Sequence, residues 1–280
     1  MTFYSETLGL SDNAFYLLRD LIHERTGLFY ENGNRDSVAD KLSPLVIERG
    51  FGSFLDYYYL LKYDPSAADE WGRVMDALSV QETYFWREAD QFQVLCDHIA
   101  PQWAAERPGQ PLRIWSAACA TGEEPLSILI ALKEAGWLDR MPIEVYASDA
   151  SPGAIARAQA GRYRERSFRN LPITLRNKYF QRESDNTWRV NAELHSKVRW
   201  AVVNLLDEAE TARMAGVPVI FCRNVFIYFS EKAIRATLDI FARRIMRPGY
   251  LFVGAAESLL RLTHDFELQE IGGVFVYVRT

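Results

Sequence analysis

Polar side chains gather at four places where an apolar run gives way to a turn. They are the stretch from Ser116 through Ala117, Ala118, Cys119, Ala120, Thr121 and Gly122 to Glu123 and Glu124, then Ser148-Asp149, Asn204-Leu205 and Cys222-Arg223-Asn224. Each follows a segment that reads as a buried strand: LRIWSA, IEVYASD, residues 199–204 and residues 218–222. In an open parallel sheet, ligands bind beyond the carboxyl ends of the strands. The small side chains of the first turn let backbone approach a ligand, and Gly122 permits the turn into a helix. Asp149 lies 27 positions after Gly122, where a carboxylate suits the two hydroxyls of a ribose. The sequence holds neither GxGxxG nor a Walker A string, so a dinucleotide or phosphate ligand is not supported. A carboxylate for a ribose, without a phosphate cradle, points to an adenosine ligand such as S-adenosylmethionine. The competing reading makes Asp149 the cap of a helix, because Asp-Ala-Ser-Pro is a good helix start.

Other chemistries find little support. His23, His98, His195 and His264 lie far apart, and Cys96, Cys119 and Cys222 form no CxxC, so no metal site is expected. Three sparse cysteines make no disulfide framework. The 280 residues carry 32 Lys+Arg against 37 Asp+Glu, and hydrophobic residues make up 49%. That composition excludes disorder as the main state. The mild acidic excess argues against nucleic-acid binding by bulk charge. MTFYSETLGL lacks the basic start and apolar run of a signal peptide. The longest apolar stretch, Val217 to Phe229, is broken by Arg223 and Asn224, so no membrane insertion is expected. The expectation is a reduced, cytoplasmic protein.

The elements that must position these groups fall into two parts. Residues 1–78 read as a small all-α domain. Ser11 caps a first helix that Gly27 ends, and Ser53 caps a third. Pro44 should kink or divide the second. Residues 1–75 hold 7 Lys+Arg and 12 Asp+Glu, so the chain's whole net charge of −5 sits there. Residues 79–90 form a linker that contributes to the cofactor site. From 91 to 280, strand and helix alternate, which means a mostly parallel sheet with helices on both faces. Segment 178–200 interrupts that alternation as a small antiparallel insertion, and the IGGVF region suggests an antiparallel strand at the end.

Thr83–Glu88 (TYFWRE), Trp115–Ser127 (WSAACATGEEPLS), Ala147–Tyr163 (ASDASPGAIARAQAGRY), Val203–Glu208 (VNLLDE) and Phe221–Phe229 (FCRNVFIYF), in this order, resemble the bacterial chemotaxis receptor methyltransferases, the CheR family. The likeness runs from about residue 11 to near the end. It implies an α/β fold: a Rossmann-like S-adenosylmethionine-dependent methyltransferase domain with a small antiparallel β-subdomain insertion, preceded by a small all-α domain. It implies methylation of glutamate side chains on the cytoplasmic helices of chemoreceptors, with S-adenosylhomocysteine as product. Carried over motif by motif, it places Gln81, Thr83 and Arg87 at the cofactor from the linker. Glu124 acts in the first turn, not firmly separable from Glu123. Asp149 is placed on the ribose, Asn204 and Leu205 at the adenine, Arg223 and Asn224 at the methionyl end, and Tyr228 facing the methyl group. Arg87 and Tyr228 are the candidate catalytic residues.

A glutamate carboxylate, with an ordinary pKa of about 4.3, is already ionised at neutral pH. Transfer by in-line displacement then needs alignment rather than a general base. Three departures from the family stand out. Gln81 replaces the usual asparagine. Pro44 and Leu45 stand where basic residues usually read an acidic helical segment of the receptor, leaving Arg35, Lys41 and Arg49 as a local patch. The turn RESDNT is short and lacks glycine, so no tether to a receptor's C-terminal peptide is expected. Two other readings use the same residues. One is a methyltransferase acting on a different protein or a small carboxylic acid. The other is a non-catalytic S-adenosylmethionine-binding signalling module, which would have no need of both Arg87 and Tyr228.

Overall fold

The structure, a computed structural model, describes residues 8–183 and 186–280. Ten strands occur among them: β1 Leu112–Ala117, β2 Ile143–Asp149, β3 Arg162–Arg164, β4 Phe180–Arg182, β5 Thr187–Val190, β6 Val198–Val202, β7 Val219–Cys222, β8 Gly249–Phe252, β9 Glu267–Ile271 and β10 Val274–Arg279. Seven form one sheet in the order β6-β2-β1-β7-β8-β10-β9. The first five run parallel, and β10 and β9 are antiparallel. The central strands are buried on both faces. Ile114, Val219, Phe221 and Phe252 point into one apolar layer, while Trp115, Ile220, Cys222 and Leu251 point into the other. This is the period-two alternation of a covered parallel sheet.

The chain leaves β1 for β2 on one side and later returns to β7 on the other, so β1 marks the point where strand order reverses. The turn after β1 enters helix Glu123–Glu134 through Gly122, at φ 94°. A Cβ there would stand 2.8 Å from Trp200 and 3.1 Å from Ala158, so no larger residue fits. The small antiparallel sheet has the order β3-β5-β4. It takes its first strand from Arg162–Arg164, ahead of segment 178–200, and Val198–Trp200 already belongs to β6 of the main sheet.

Four helices, α1 Asp12–Thr26, α2 Arg35–Glu48, α3 Phe54–Tyr63 and α4 Ala67–Leu78, form the front domain around Phe15, Leu18, Leu42, Tyr57 and Val74. Ser11 accepts from the Ala14 N–H, and Ser53 from the Asp56 N–H, as caps. Pro44 does not divide the second helix. α2 runs through it, because Val38, Leu42 and Val46 on the same face are fully buried and hold the helix together. The expected local patch of Arg35, Lys41 and Arg49 is also absent. Arg35 pairs with Asp12 and Asp36, Lys41 donates to the Leu78 carbonyl, and Arg49 pairs with the buried Glu70.

The two domains dock at two places. Gly27, at φ 80°, leads the chain under Phe229, and the Phe29 N–H donates to the Tyr228 carbonyl at 2.9 Å. Asp76 of α4 reaches the start of helix Pro152–Ala160, accepting from the Ser151 hydroxyl and from the Gly153 N–H at 2.8 Å. Both contacts lie beside the carboxyl edge of the parallel sheet.

Candidate active site

A cleft opens beyond the ends of β1, β2 and β7, closed on its far side by linker residues 79–84 and by Thr26 and Leu28 of the front domain. Gln81, Thr83, Arg87, Glu124, Asp149, Asn204, Leu205, Arg223, Asn224 and Tyr228 all line it. Glu123 does not. It is buried beside a second groove, where the Thr121 and Ser167 hydroxyls donate to its carboxylate at 2.6 and 3.0 Å.

At one end, Asp149 closes β2. Its Oδ2 accepts from the Ala120 N–H and its Oδ1 from the Ser151 N–H, both at 2.9 Å. Each oxygen keeps a further lone pair for a ligand hydroxyl. Burial pushes the Asp149 pKa up, and the Ser151 and Ala120 amides pull against it. Asp149 is not the helix cap. Ser151 is, accepting from the Ala154 N–H at 3.0 Å. Ala118 and Ala120 sit at φ 61° and 48°, a region that side chains rarely occupy. The strained turn brings backbone and bare methyl groups to the cleft wall.

Asn204 and Gln81 are more committed than their sequence reading suggests. The Asn204 amide donates to the Arg25 carbonyl at 2.7 Å, and its Oδ1 accepts from the Leu206 N–H. The Gln81 amide donates to the Ser151 hydroxyl at 2.9 Å, and its Oε1 accepts from Arg157. Both side chains shape the wall while fastening one domain or loop to another.

At the other end lies a buried charge cluster. The Arg223 side chain is 2% exposed, with carboxylate oxygens of Glu124 at 3.1 Å and Glu88 at 3.2 Å. It also donates to the Arg87 carbonyl at 2.7 Å. Glu124 accepts in addition from the Ser116 hydroxyl at 2.6 Å. Burial raises the Glu124 pKa, and Arg223 opposes the rise. Removing one partner of such a group typically costs about 3–5 kcal/mol. Asn224 sits at φ 58°, and Glu257 explains how the loop holds that bend. Its carboxylate accepts from the N–H groups of Asn224, Gly254 and Phe226, at 2.8, 2.7 and 2.7 Å. Arg87 and Tyr228 differ from this cluster. The Arg87 guanidinium lies 5.4 Å from the Tyr84 ring centroid, with only Glu88 near it, at 4.0 Å. Among the described residues the Tyr228 hydroxyl has no hydrogen-bond partner.

Two family models match this architecture. The one described as the CheR methyltransferase all-alpha domain matches residues 13–79, and the one described as the CheR methyltransferase SAM binding domain matches residues 81–274. The chain belongs to the CheR methyltransferase family. Its relatives include chemotaxis protein methyltransferase 2 of Vibrio cholerae, 35% identical over 93% of this chain and 90% of that protein. The chemotaxis protein methyltransferase of Klebsiella aerogenes is 35% identical over 95% of this chain and 90% of that protein. The Escherichia coli protein of the same name is 33% identical, with 95% and 91% covered. A solved magnesium protoporphyrin IX methyltransferase from Synechocystis covers 81% of this chain and 96% of that one, but at 14% identity and a TM-score of 0.37 it is too distant to bear on the site.

This CheR-type chain is thus an S-adenosylmethionine-dependent methyltransferase, and the cleft fits that cofactor. A carboxylate pinned by backbone, a turn free of bulky side chains and the buried Arg223 Nε, which lacks a partner, are the features an adenosyl amino acid requires. Among the described residues no His, Cys, Asp and Glu cluster could hold a metal, and no helix is long and apolar enough to cross a membrane. Sequence reasoning missed three residues that build the site. Glu257 stands just past β8, so it too follows a parallel strand end. Glu88 lies within TYFWRE but was not singled out. Asp76 carries no signal, because it belongs to a helix of the other domain.

Proposed function

We propose that this CheR-type enzyme methylates glutamate side chains in an acidic helical segment of a chemoreceptor, working in the cytoplasm. Asp149 holds the ribose, and Leu205 and Asn204 bound the adenine. Gln81, Thr83, Glu124, Arg223 and Asn224 shape the rest of the cofactor pocket. When bound, S-adenosylmethionine supplies an electrophilic methyl group on a positively charged sulfur. The planar fork of Arg87 receives the incoming carboxylate. The Tyr228 hydroxyl donates to one of its oxygens, leaving the other free to lie in line with the methyl carbon and sulfur. No group takes a proton, because the carboxylate arrives ionised. Orientation of this kind supplies about 7–11 kcal/mol of the barrier in well-aligned systems.

The observation that carries the reading is the contrast within one cleft. Arg223, Glu124 and Asp149 are each tied to protein by hydrogen bonds, whereas the Arg87 guanidinium and the Tyr228 hydroxyl have no hydrogen-bond partner among the described residues. A guanidinium held only loosely by Glu88 and a hydroxyl without a partner, both lining one cleft, suit a carboxylate substrate. No grip on a receptor's C-terminal peptide is included. The short turn RESDNT supports that omission from sequence alone, since Ser184 and Asp185 lie outside the described residues. Peptide mapping by mass spectrometry tests the proposal: receptor incubated with enzyme and S-adenosylmethionine gains methyl groups on glutamates. Methylation confined to other side chains, or to a small acid, contradicts it.

A further inference from the structure

The front domain is acidic, and six of its seven Lys+Arg are engaged within it; among the described residues Arg25 alone makes no side-chain hydrogen bond or ion pair. Residues 157–189 are the reverse, with nine Lys+Arg against three Asp+Glu. Five of these arginines line one groove: Arg157, Arg162, Arg164, Arg166 and Arg169. Local structure puts them there. The alternation of β3 turns Tyr163 inward, its hydroxyl on the Thr121 carbonyl at 3.1 Å, and leaves Arg162 and Arg164 outward. The following 3₁₀ turn, Glu165–Phe168, buries Ser167 and Phe168 and sets Arg166 and Arg169 outside.

Three of the five are engaged: Arg169 pairs with Glu82 at 3.1 Å, Arg162 with Glu183 at 2.9 Å, and Arg157 donates to the Gln81 amide oxygen, while Glu123 is buried beneath the groove. Among the described residues Arg164 has no partner, and Arg166 makes no hydrogen bond or ion pair. The groove ends at Gln81, Glu82 and Thr83, which also line the catalytic cleft. A basic track whose unpaired members are Arg164 and Arg166 therefore leads to the mouth of the cleft. Tyr163, which lines the groove, is buried, and the Tyr84 ring is covered by the Arg169 guanidinium 3.7 Å from its centroid, so neither offers a stacking platform for nucleic-acid bases.

We propose that this groove docks an acidic helical segment of the methylated protein and delivers its glutamate to the cleft. The proposal rests on the protein-glutamate reading above. It moves charge complementarity from the front domain to the catalytic domain.

The test measures initial rates of methyl transfer to chemoreceptor-containing membranes from the source organism. Arg164→Glu/Arg166→Glu should raise KM for receptor about tenfold, and Arg164→Gln/Arg166→Gln about threefold, as loss of steering charges predicts. kcat and S-adenosylhomocysteine affinity should stay within about twofold in both, and the dependence of KM on salt should flatten. Arg35→Gln should leave KM unchanged. Transfer by wild type with the same KM in both double variants overturns the groove while leaving the glutamate reading intact. So does a raised KM in Arg35→Gln alone, or a variant that loses only binding to an oligonucleotide. No transfer to receptor by wild type overturns both.

Discussion

The two ends of the catalytic cleft are built on different plans. At the ribose end, Asp149 is fixed by two backbone N–H groups and the strained Ala118–Ala120 turn. At the reacting end, Arg223 is locked between Glu88 and Glu124, yet among the described residues the Arg87 guanidinium and the Tyr228 hydroxyl make no hydrogen bond, and Arg87 has only Glu88 near it, at 4.0 Å. A preorganised pocket with satisfied walls suits a ligand that binds first and in one pose. Free donors suit a second molecule that arrives later. The comparison teaches which residues should govern affinity and which should govern turnover.

The sharpest break would come at Asp149. Asp149→Ala removes two hydrogen bonds to a charged group, each worth about 1.5–3 kcal/mol, so calorimetric affinity for S-adenosylhomocysteine should fall about 100-fold or more. An affinity within about threefold of wild type would remove Asp149 from the ribose. Arg87→Ala should do the opposite, lowering kcat about 100-fold while S-adenosylhomocysteine binding changes less than about threefold. Equal losses in both would erase the division of labour. Tyr228→Phe should cost about tenfold in kcat with the fold and cofactor affinity retained, read by stopped-time transfer assays. The smallest effect is with pH. Burial raises the Asp149 pKa, so its ionised form should be lost on acidification before an ordinary aspartate, at about 3.9, protonates. S-adenosylhomocysteine affinity should therefore weaken as pH falls, beginning above that range, and Asp149→Asn should flatten the profile.

The periodic parts of the fold were legible. LRIWSA and IEVYASD alternate between two apolar layers, which is why β1 and β2 match the read segments residue for residue. Strand ends then marked Asp149, Asn204 and Arg223 without further information, because ligand sites in parallel sheets follow topology. What stayed hidden are pairings between residues far apart in the chain. Nothing local in Arg223 announces Glu88, and nothing in Arg35 or Arg49 announces that Asp12 and Glu70 neutralise them. Pro44 misled for a related reason: the burial of Val38, Leu42 and Val46 is a tertiary fact that outweighs a local breaker. Nothing local in RYRERSFR announces the groove that β3 and the linker form together.

The most direct test of the central claim is transfer of labelled methyl from S-adenosylmethionine to receptor-containing membranes, followed by mild base. The account predicts label on a receptor-sized band that base releases, as a carboxyl methyl ester must. Label that survives base, or no label on the receptor despite tight S-adenosylhomocysteine binding, would contradict it.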